Sequence, residues 1–307
     1  MWAKVDKVLA ILGPTCTGKS ELALDLAGEM EGEIVNADSM QVYKDFDIGT
    51  AKPDGAARSR IPHHLIDVVV PTEQFNGAAF KRMADEAISL IQGRGKVPIT
   101  VGGTGLYLRI LFHGLFPISN DAEVRRRLRE SFETNPLGLY EELKGIDPEY
   151  ALRISHKDRV RVVRALEVYY VSGTRMSDWQ KRHHFGEKRY NVYKIGLMRP
   201  RPELYARIDG RVEEMLRQGW IEEVKGLLDR YGPEAKPFSG IGYREILMNV
   251  KGLMTEKEMK GEIQKSTRHY AKRQITWFRK ETEIDWFTYP EERSQIIEKA
   301  RAFLCLN

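Results

Sequence analysis

The run Val8-Leu9-Ala10-Ile11-Leu12-Gly13-Pro14-Thr15-Cys16-Thr17-Gly18-Lys19-Ser20 constrains this chain more than any other stretch. Its apolar half reads as a short buried strand, the middle as a glycine-bounded loop, and residues 19–29 as a helix. Gly13 and Gly18-Lys19-Ser20 stand at the spacing of a phosphate-binding loop. The first amides of a helix have no intrahelical partner, and the helix dipole adds positive potential there. Glycines let the backbone close around an anion. Lys19 adds a mobile positive charge, and the Ser20 hydroxyl is placed to hold Mg²⁺. A chance glycine turn would lack the strand before and the amphipathic helix after. The loop specifies a diphosphate or triphosphate, but neither the molecule that carries it nor whether a phosphoryl group moves.

Residues 1–112 alternate apolar strands (8–12, 33–36, 64–69 and 97–101) with helices (19–29, 76–92 and 105–112), the pattern of a largely parallel sheet. In such sheets ligands bind beyond the carboxyl ends of the strands. The loops at Asp38-Ser39, Gly49–Pro53 and Gly102–Gly105 should therefore meet the phosphate loop at one crevice. From Gly114 the pattern changes. Leu115-Phe116-Pro117 reads as a linker, and 121–134, 137–143, 148–153 and 157–172 read as successive helices. A strand at 191–198 returns to the sheet. Helices are expected over 201–231, 243–250, 255–281 and 291–306, with a turn-rich stretch at 233–242. The expected fold is an α/β, P-loop NTPase-like parallel-sheet core (1–115 and 190–307) with an inserted all-helical domain (116–189).

The chain is 42% hydrophobic and 30% charged, with no run long and apolar enough to span a bilayer. Cys16 and Cys305 are too few for a disulfide framework or a zinc site. The first apolar run reads as a strand rather than a signal sequence, so a cytoplasmic protein without membrane partners is expected. No coiled-coil or apolar interface pattern stands out, so a monomer is expected. The net charge of +5 is a mild hint of a polyanionic partner. Its distribution is more telling: residues 240–280 carry ten Lys or Arg against four Glu, and 263–280 hold no acid. There Lys265, Arg268, Lys272, Arg273, Arg279 and Lys280 alternate with Tyr270, Trp277 and Phe278, charges for phosphates and rings for bases. The plain alternative is a core-packed aromatic face with a solvated basic face opposite.

Asp38, at the carboxyl end of the second strand, has the place of a Mg²⁺ ligand or of a base taking a proton from a nucleophile. Its structural alternative is capping a helix that starts near Ser39. Asp67 closes another apolar strand and is its rival as a metal-side acid, or a structural acceptor near His63 and His64. Those histidines lack the company of a metal site. Gly102-Gly103-Thr104-Gly105 would let a substrate approach closely, although glycine turns join strands to helices generally.

Taken in order, Gly13-Pro14-Thr15-x-x-Gly18-Lys19-Ser20, Asp38-Ser39-Met40-Gln41-Val42-Tyr43, Gly49-Thr50-Ala51-Lys52-Pro53, His63-His64-Leu65-Ile66-Asp67 and Gly102-Gly103-Thr104-Gly105-Leu106-Tyr107 resemble the bacterial tRNA dimethylallyltransferases. The resemblance continues through Arg161–Val168, Gly240-x-Gly242-Tyr243-Arg244-Glu245 and Lys272–Arg279, over nearly the whole chain. Cys16-Thr17 departs mildly from the usual small residue of the loop. The resemblance implies transfer of a dimethylallyl group from dimethylallyl diphosphate to N6 of the adenosine beside the anticodon (adenosine 37), releasing diphosphate. The loop Gly13, Pro14, Thr15, Cys16, Thr17, Gly18, Lys19 and Ser20 would then hold the leaving group, with Mg²⁺ at Ser20. It implies Asp38 as general base and Lys19, Thr15 and Arg125 as further catalytic residues. It also implies tRNA contacts at Asp38, Ser39, Met40, Gln41, Thr104, Arg125, Arg161, Arg164, Gly242, Tyr243, Arg244, Lys272, Arg273 and Arg279. The insertion would grip the anticodon stem-loop. Arg126 and Arg127 directly follow Arg125 and compete for its place.

Three other readings share the loop: a small-molecule kinase with the insertion as its lid, a nucleic-acid-binding NTPase, and a prenyltransferase acting on free AMP or ADP. The basic segment at 265–280 would be superfluous to the kinase and to the AMP enzyme.

Overall fold

Strand β1 (Lys7–Leu12) lies inside a sheet that explains its unbroken apolar run. It is followed by α1 (Lys19–Glu29), β2 (Gly32–Asn36), α2 (Gly55–Arg60), β3 (His63–His64), α3 (Gly77–Gly93), β4 (Val97–Gly102) and α4 (Gly105–His113). Five helices come next: α5 (Ala122–Thr134), α6 (Pro136–Ile146), α7 (Pro148–Ala151), α8 (Arg159–Ser172) and α9 (Met176–His183). The chain then forms β5 (Asn191–Leu197), α10 (Arg201–Arg217), α11 (Trp220–Tyr231), α12 (Tyr243–Val250), α13 (Glu256–Phe278), β6 (Ile284–Phe287) and α14 (Arg293–Leu304). The computed structural model describes residues 7–115, 121–183 and 186–305. Phe116, Pro117 and Leu306, read above as linker and helix end, lie outside the described residues. The chain divides into one unit of Met1–Phe112 with Arg189–Asn307 and a second of His113–Lys188.

Among the described residues of the first unit, six strands form one parallel sheet in the order β3-β2-β4-β1-β5-β6. Successive β1 side chains point to opposite faces. Leu9 and Ile11 pack with Leu22 and Leu26 of α1 and Ile296 and Leu304 of α14. Val8, Ala10 and Leu12 pack with Phe80 and Ile88 of α3 and Leu108 and Leu111 of α4. Both faces are covered, so the central strand carries no polar alternation. Among the described residues no helix is long and apolar enough to cross a membrane.

A third core gathers Phe46, Phe238, Tyr243 and Trp220. It explains two motif glycines. A Cβ at Gly49 would lie 2.2 Å from Trp220 Nε1, and one at Gly242 would lie 1.9 Å from the indole ring. Gly242 also has φ 87°, in the left-handed region. Backbone strain and overpacking each cost about 1–3 kcal/mol, so Gly242→Ala should lower the unfolding free energy by at least about 2 kcal/mol. Urea denaturation measures this, and an unchanged midpoint would show that Trp220 has room to retreat.

Among its described residues the second unit forms helices and no strand, packed around Leu128, Phe132, Leu143, Val162 and Leu166. Asp121, Asn135, Asp147 and Asp158 cap successive helix starts, so their side chains satisfy amides that lack intrahelical partners.

The sequence reading departs from this fold in definable places. The strand expected at 64–69 contracts to His63–His64, because Leu65 and Asp67 take positive φ values of 63° and 57° that break the extended run. Only Val69 regains a bridge, to Tyr43. The helix expected over 201–231 is two helices, broken where Gly219 adopts φ 95°. Helices α2 and α9 and strand β6 were not expected. Strand β6 is four residues long and carries Asp285 and Trp286, too short for a periodic signal.

Candidate active site

Strands β1, β2 and β4 are neighbours in the sheet, so the loops leaving their carboxyl ends converge. The phosphate loop leaves β1 through Gly13, whose φ of 140° and approach to the Leu197 carbonyl (2.4 Å from a built Cβ) admit no side chain. Gly18 precedes α1 at φ 93°, and no side chain caps the helix start. The first amides of α1 are therefore left for an anion. Thr17 Oγ1 donates to the Pro14 carbonyl at 2.9 Å and braces the loop from within.

Lys19 Nζ donates to the same carbonyl at 2.6 Å. Burial lowers its pKa to about 8; Arg211 adds to the shift, while Cys16 and Asp38 oppose it. The Ser20 hydroxyl makes no hydrogen bond among the described residues. With Glu21 and Asp38 it lines a cavity of about 510 Å³. Among those residues no three His, Cys, Asp or Glu side chains form a metal-holding group. One hydroxyl beside a diphosphate fits Mg²⁺, which takes few protein ligands and completes its shell with phosphate oxygens and water.

Beyond β2, the Asp38 amide donates to Asn36 Oδ1 at 3.1 Å, while Asp38 Oδ1 accepts the Met40 amide at 2.8 Å and that of Gln41 at 3.4 Å. The expected capping does occur, but on a turn: no helix begins at Ser39. Oδ2 makes no hydrogen bond among the described residues. Thr104, after β4, accepts the Ser39 amide at 3.2 Å. Gln41 Nε2 donates to the carbonyls of Thr50 and Ala51, fastening the Gly49–Pro53 loop beside the crevice.

Asp67, the rival acid, is already engaged. Its carboxylate pairs with the buried Lys52 at 2.5 Å and with Arg58 at 2.6 Å. His64 pairs with buried Glu33, and His63 with the Ile61 carbonyl.

A second cavity of about 320 Å³ adjoins the first. Asp38, Thr15, Cys16, Arg211 and Tyr270 line both. Its other walls include Ser39, Met40, Tyr243 and Arg273 with the apolar Ile208, Val212 and Met215. Burial raises the Tyr270 pKa, and the nearby Asp38 adds to the shift. The phenol therefore stays neutral near pH 7.

The remaining expected residues separate by location. Gly242 is buried against Trp220, Tyr243 lines the second cavity and donates its hydroxyl to Glu223 at 2.7 Å, and Arg244 is exposed beside Glu245. Lys272 and Arg273 of α13, with Arg279 and Lys280 just beyond its end, are exposed with no acid partner among the described residues, whereas Lys265 pairs with Glu262 and Arg268 with Asp209. Trp277 is not an open stacking platform. Gly105 presses on its indole (2.2 Å from a built Cβ), and the Arg109 guanidinium lies 4.4 Å from its ring centre. In the helical unit, Arg125 makes a bidentate pair with the buried Glu167 at 2.9 and 3.0 Å, and Arg164 meets the same carboxylate at 2.9 Å. Arg161 is exposed near Asp158.

Two crevice residues escaped the sequence reading. Arg211 on α10 stands 3.7 Å from Cys16 Sγ and faces the phosphate loop. The four-residue spacing of Arg207 and Arg211 placed both on one helix face, and both line the first cavity. Gln274, among the basic residues of α13, reaches the phosphate loop from the buried side.

A central parallel strand that runs through a glycine loop into an uncapped helix start, with Lys19 and Arg211 beside it, makes this a phosphate-loop-like α/β protein whose crevice is arranged for an anion. A family model described as IPP transferase matches residues 41–281, and one described as Isopentenyl transferase matches residues 6–61. The chain belongs to the IPP transferase family, that of the tRNA dimethylallyltransferases. It is 48% identical to "tRNA dimethylallyltransferase 2" of Geotalea uraniireducens, over 94% of each chain. It is 47% identical to "tRNA dimethylallyltransferase 1" of Pelobacter propionicus, over 97% of this chain and 98% of that one. The crystal structure of the tRNA isopentenylpyrophosphate transferase of Bacillus halodurans superposes with a TM-score of 0.73 at 35% identity, covering 97% of both chains. A eukaryotic dimethylallyltransferase acting on tRNA gives 0.79 at 31% identity, over 96% of this chain and 77% of that one.

Proposed function

We propose that the chain transfers the dimethylallyl group of dimethylallyl diphosphate to N6 of adenosine 37 in tRNA and releases diphosphate. The phosphate loop holds the donor's diphosphate in the larger cavity, and the flipped adenine enters the adjoining one. The observation that carries this reading is the place of Asp38. It lines both cavities, with Oδ1 tied down by turn amides and Oδ2 left to take a proton. The allylic C–O bond breaks with its electron pair passing to the diphosphate, and the carbon cation is delocalised. The adenine N6 bonds to that carbon and gives its proton to Asp38. Lys19, Arg211 and the loop amides stabilise charge on the departing diphosphate in a site already arranged for it. The Ser20 hydroxyl would hold a Mg²⁺ ion, which would supply further neutralisation of the leaving group's charge.

Adenosine 37 must leave the anticodon stack, at a cost of a few kcal/mol. The exposed cations in and just after α13, and Arg161 of the helical insertion, bind the stem-loop phosphates and offset it. Lys272→Ala with Arg279→Ala should therefore weaken tRNA binding and lower the salt slope of log K by roughly one for each phosphate left without its cation. An unchanged slope would return both residues to the solvent.

The reaction itself is tested with ¹⁴C-labelled dimethylallyl diphosphate, Mg²⁺ and either unmodified tRNA or AMP. Label enters tRNA and not AMP. Label in AMP alone, or ATP consumption on a small acceptor without label transfer to tRNA, would overturn the assignment.

A further inference from the structure

We propose that Gln274 is a positioning residue for the diphosphate loop, acting from the buried side of the helix whose exposed face is basic. The inference rests on the reading of the larger cavity as the donor's diphosphate site. Gln274 is 5% exposed, while its neighbours Lys272 and Arg273 are open to solvent. Its Oε1 accepts the Thr15 amide at 2.9 Å, and its Nε2 donates to the Gly103 carbonyl at 3.0 Å. One side chain thus ties together the loops that leave β1 and β4, from a helix far along the sequence.

The fit is specific. Only glutamine offers a donor and an acceptor at that reach. Asparagine falls a methylene short, glutamate loses the donor, and leucine or methionine loses both. Gly103 belongs to the same device: a Cβ there would come 2.1 Å from Gln274 Nε2.

The consequence is preorganisation. The Thr15 peptide is oriented before the anion arrives, which spares the loop a reorganisation when the diphosphate binds. Although Gln274 lies in a segment that resembles an RNA-facing stretch, its hydrogen bonds serve the donor.

The test uses the full chain well below its unfolding temperature, with donor and RNA binding measured separately and without turnover. Magnesium diphosphate is titrated by calorimetry and an anticodon stem-loop by fluorescence anisotropy. In Gln274→Ala, the diphosphate Kd and the KM for dimethylallyl diphosphate rise about tenfold or more, as a buried amide and carbonyl lose their partner, while the RNA Kd stays within about twofold. Gly103→Ala, which drives a methyl group into the Nε2 position, weakens diphosphate binding as well. The double variant is no worse than either single one, because both act through the same clamp.

Weaker RNA binding with unchanged diphosphate binding would make Gln274 an RNA contact and overturn the proposal, as would additive effects in the double variant. A wild-type protein that binds no diphosphate overturns the donor-site reading and the proposal together. One that binds it no better than Gln274→Ala overturns the proposal alone.

Discussion

Asp38→Asn lowers turnover on tRNA by about 10²–10⁴-fold, the usual contribution of a placed general base. The substitution is chosen for the turn. Asp38 Oδ1 accepts the amides of Met40 and Gln41, and an asparagine carbonyl oxygen accepts them equally well. Asp38→Ala would remove this cap along with the base, so a fall in activity would have two causes. In Asp38→Asn the turn that presents Ser39 and Met40 to the second cavity persists, and only proton acceptance disappears. Single-turnover rates at saturating tRNA, with stem-loop affinity measured in parallel, separate the two. Near-normal turnover would move the base elsewhere. Asp67 is a poor substitute, since Lys52 and Arg58 both hold its carboxylate.

Lys19→Met lowers the transfer rate by about 10²–10³-fold, the scale of removing one charge-stabilising donor from a preorganised site. The native lysine also gives a pH signature. Its pKa in the free protein is about 8, against an ordinary lysine value of 10.5, chiefly through burial. A bound diphosphate favours the charged ammonium and raises that pKa again. Below pH 8 Lys19 is already protonated and the affinity is complete. Above pH 8 the free protein must take up a proton to bind, and the affinity falls toward a limit of about tenfold per pH unit. Calorimetry at pH 8.5 in buffers of different ionisation enthalpy reads this uptake, and Lys19→Met reduces it. Proton release, or no dependence on the buffer, would contradict the assignment.

These two residues were legible in the sequence for a physical reason. An anion site at a helix start is a local construction, so Gly13, Gly18, Lys19 and Ser20 declare it by spacing alone. Asp38 was legible because a strand end at a parallel sheet fixes its place. What stayed hidden depends on distant partners. Gln274 looked like one more polar residue on a basic helix, since Thr15 and Gly103 are remote in the sequence. Arg211 carries no local signal, since only the packing of α10 brings it against Cys16 of the phosphate loop. Asp67 looked equivalent to Asp38 because the pairing with Lys52 and Arg58 depends on how the 47–67 segment folds. Gly242 drew notice as part of a motif, but the indole of Trp220 explains why it is glycine.

The central claim is that this phosphate loop serves a carbon electrophile, so the bond to the prenyl carbon breaks and no P–O bond does. Dimethylallyl diphosphate labelled with ¹⁸O at the oxygen bridging carbon and phosphorus tests it directly, with tRNA as acceptor and mass spectrometry of both products. All the ¹⁸O should appear in the released diphosphate, one molecule for each dimethylallyl group on adenosine N6. Orthophosphate release, or ¹⁸O retained with the prenyl group, would contradict it.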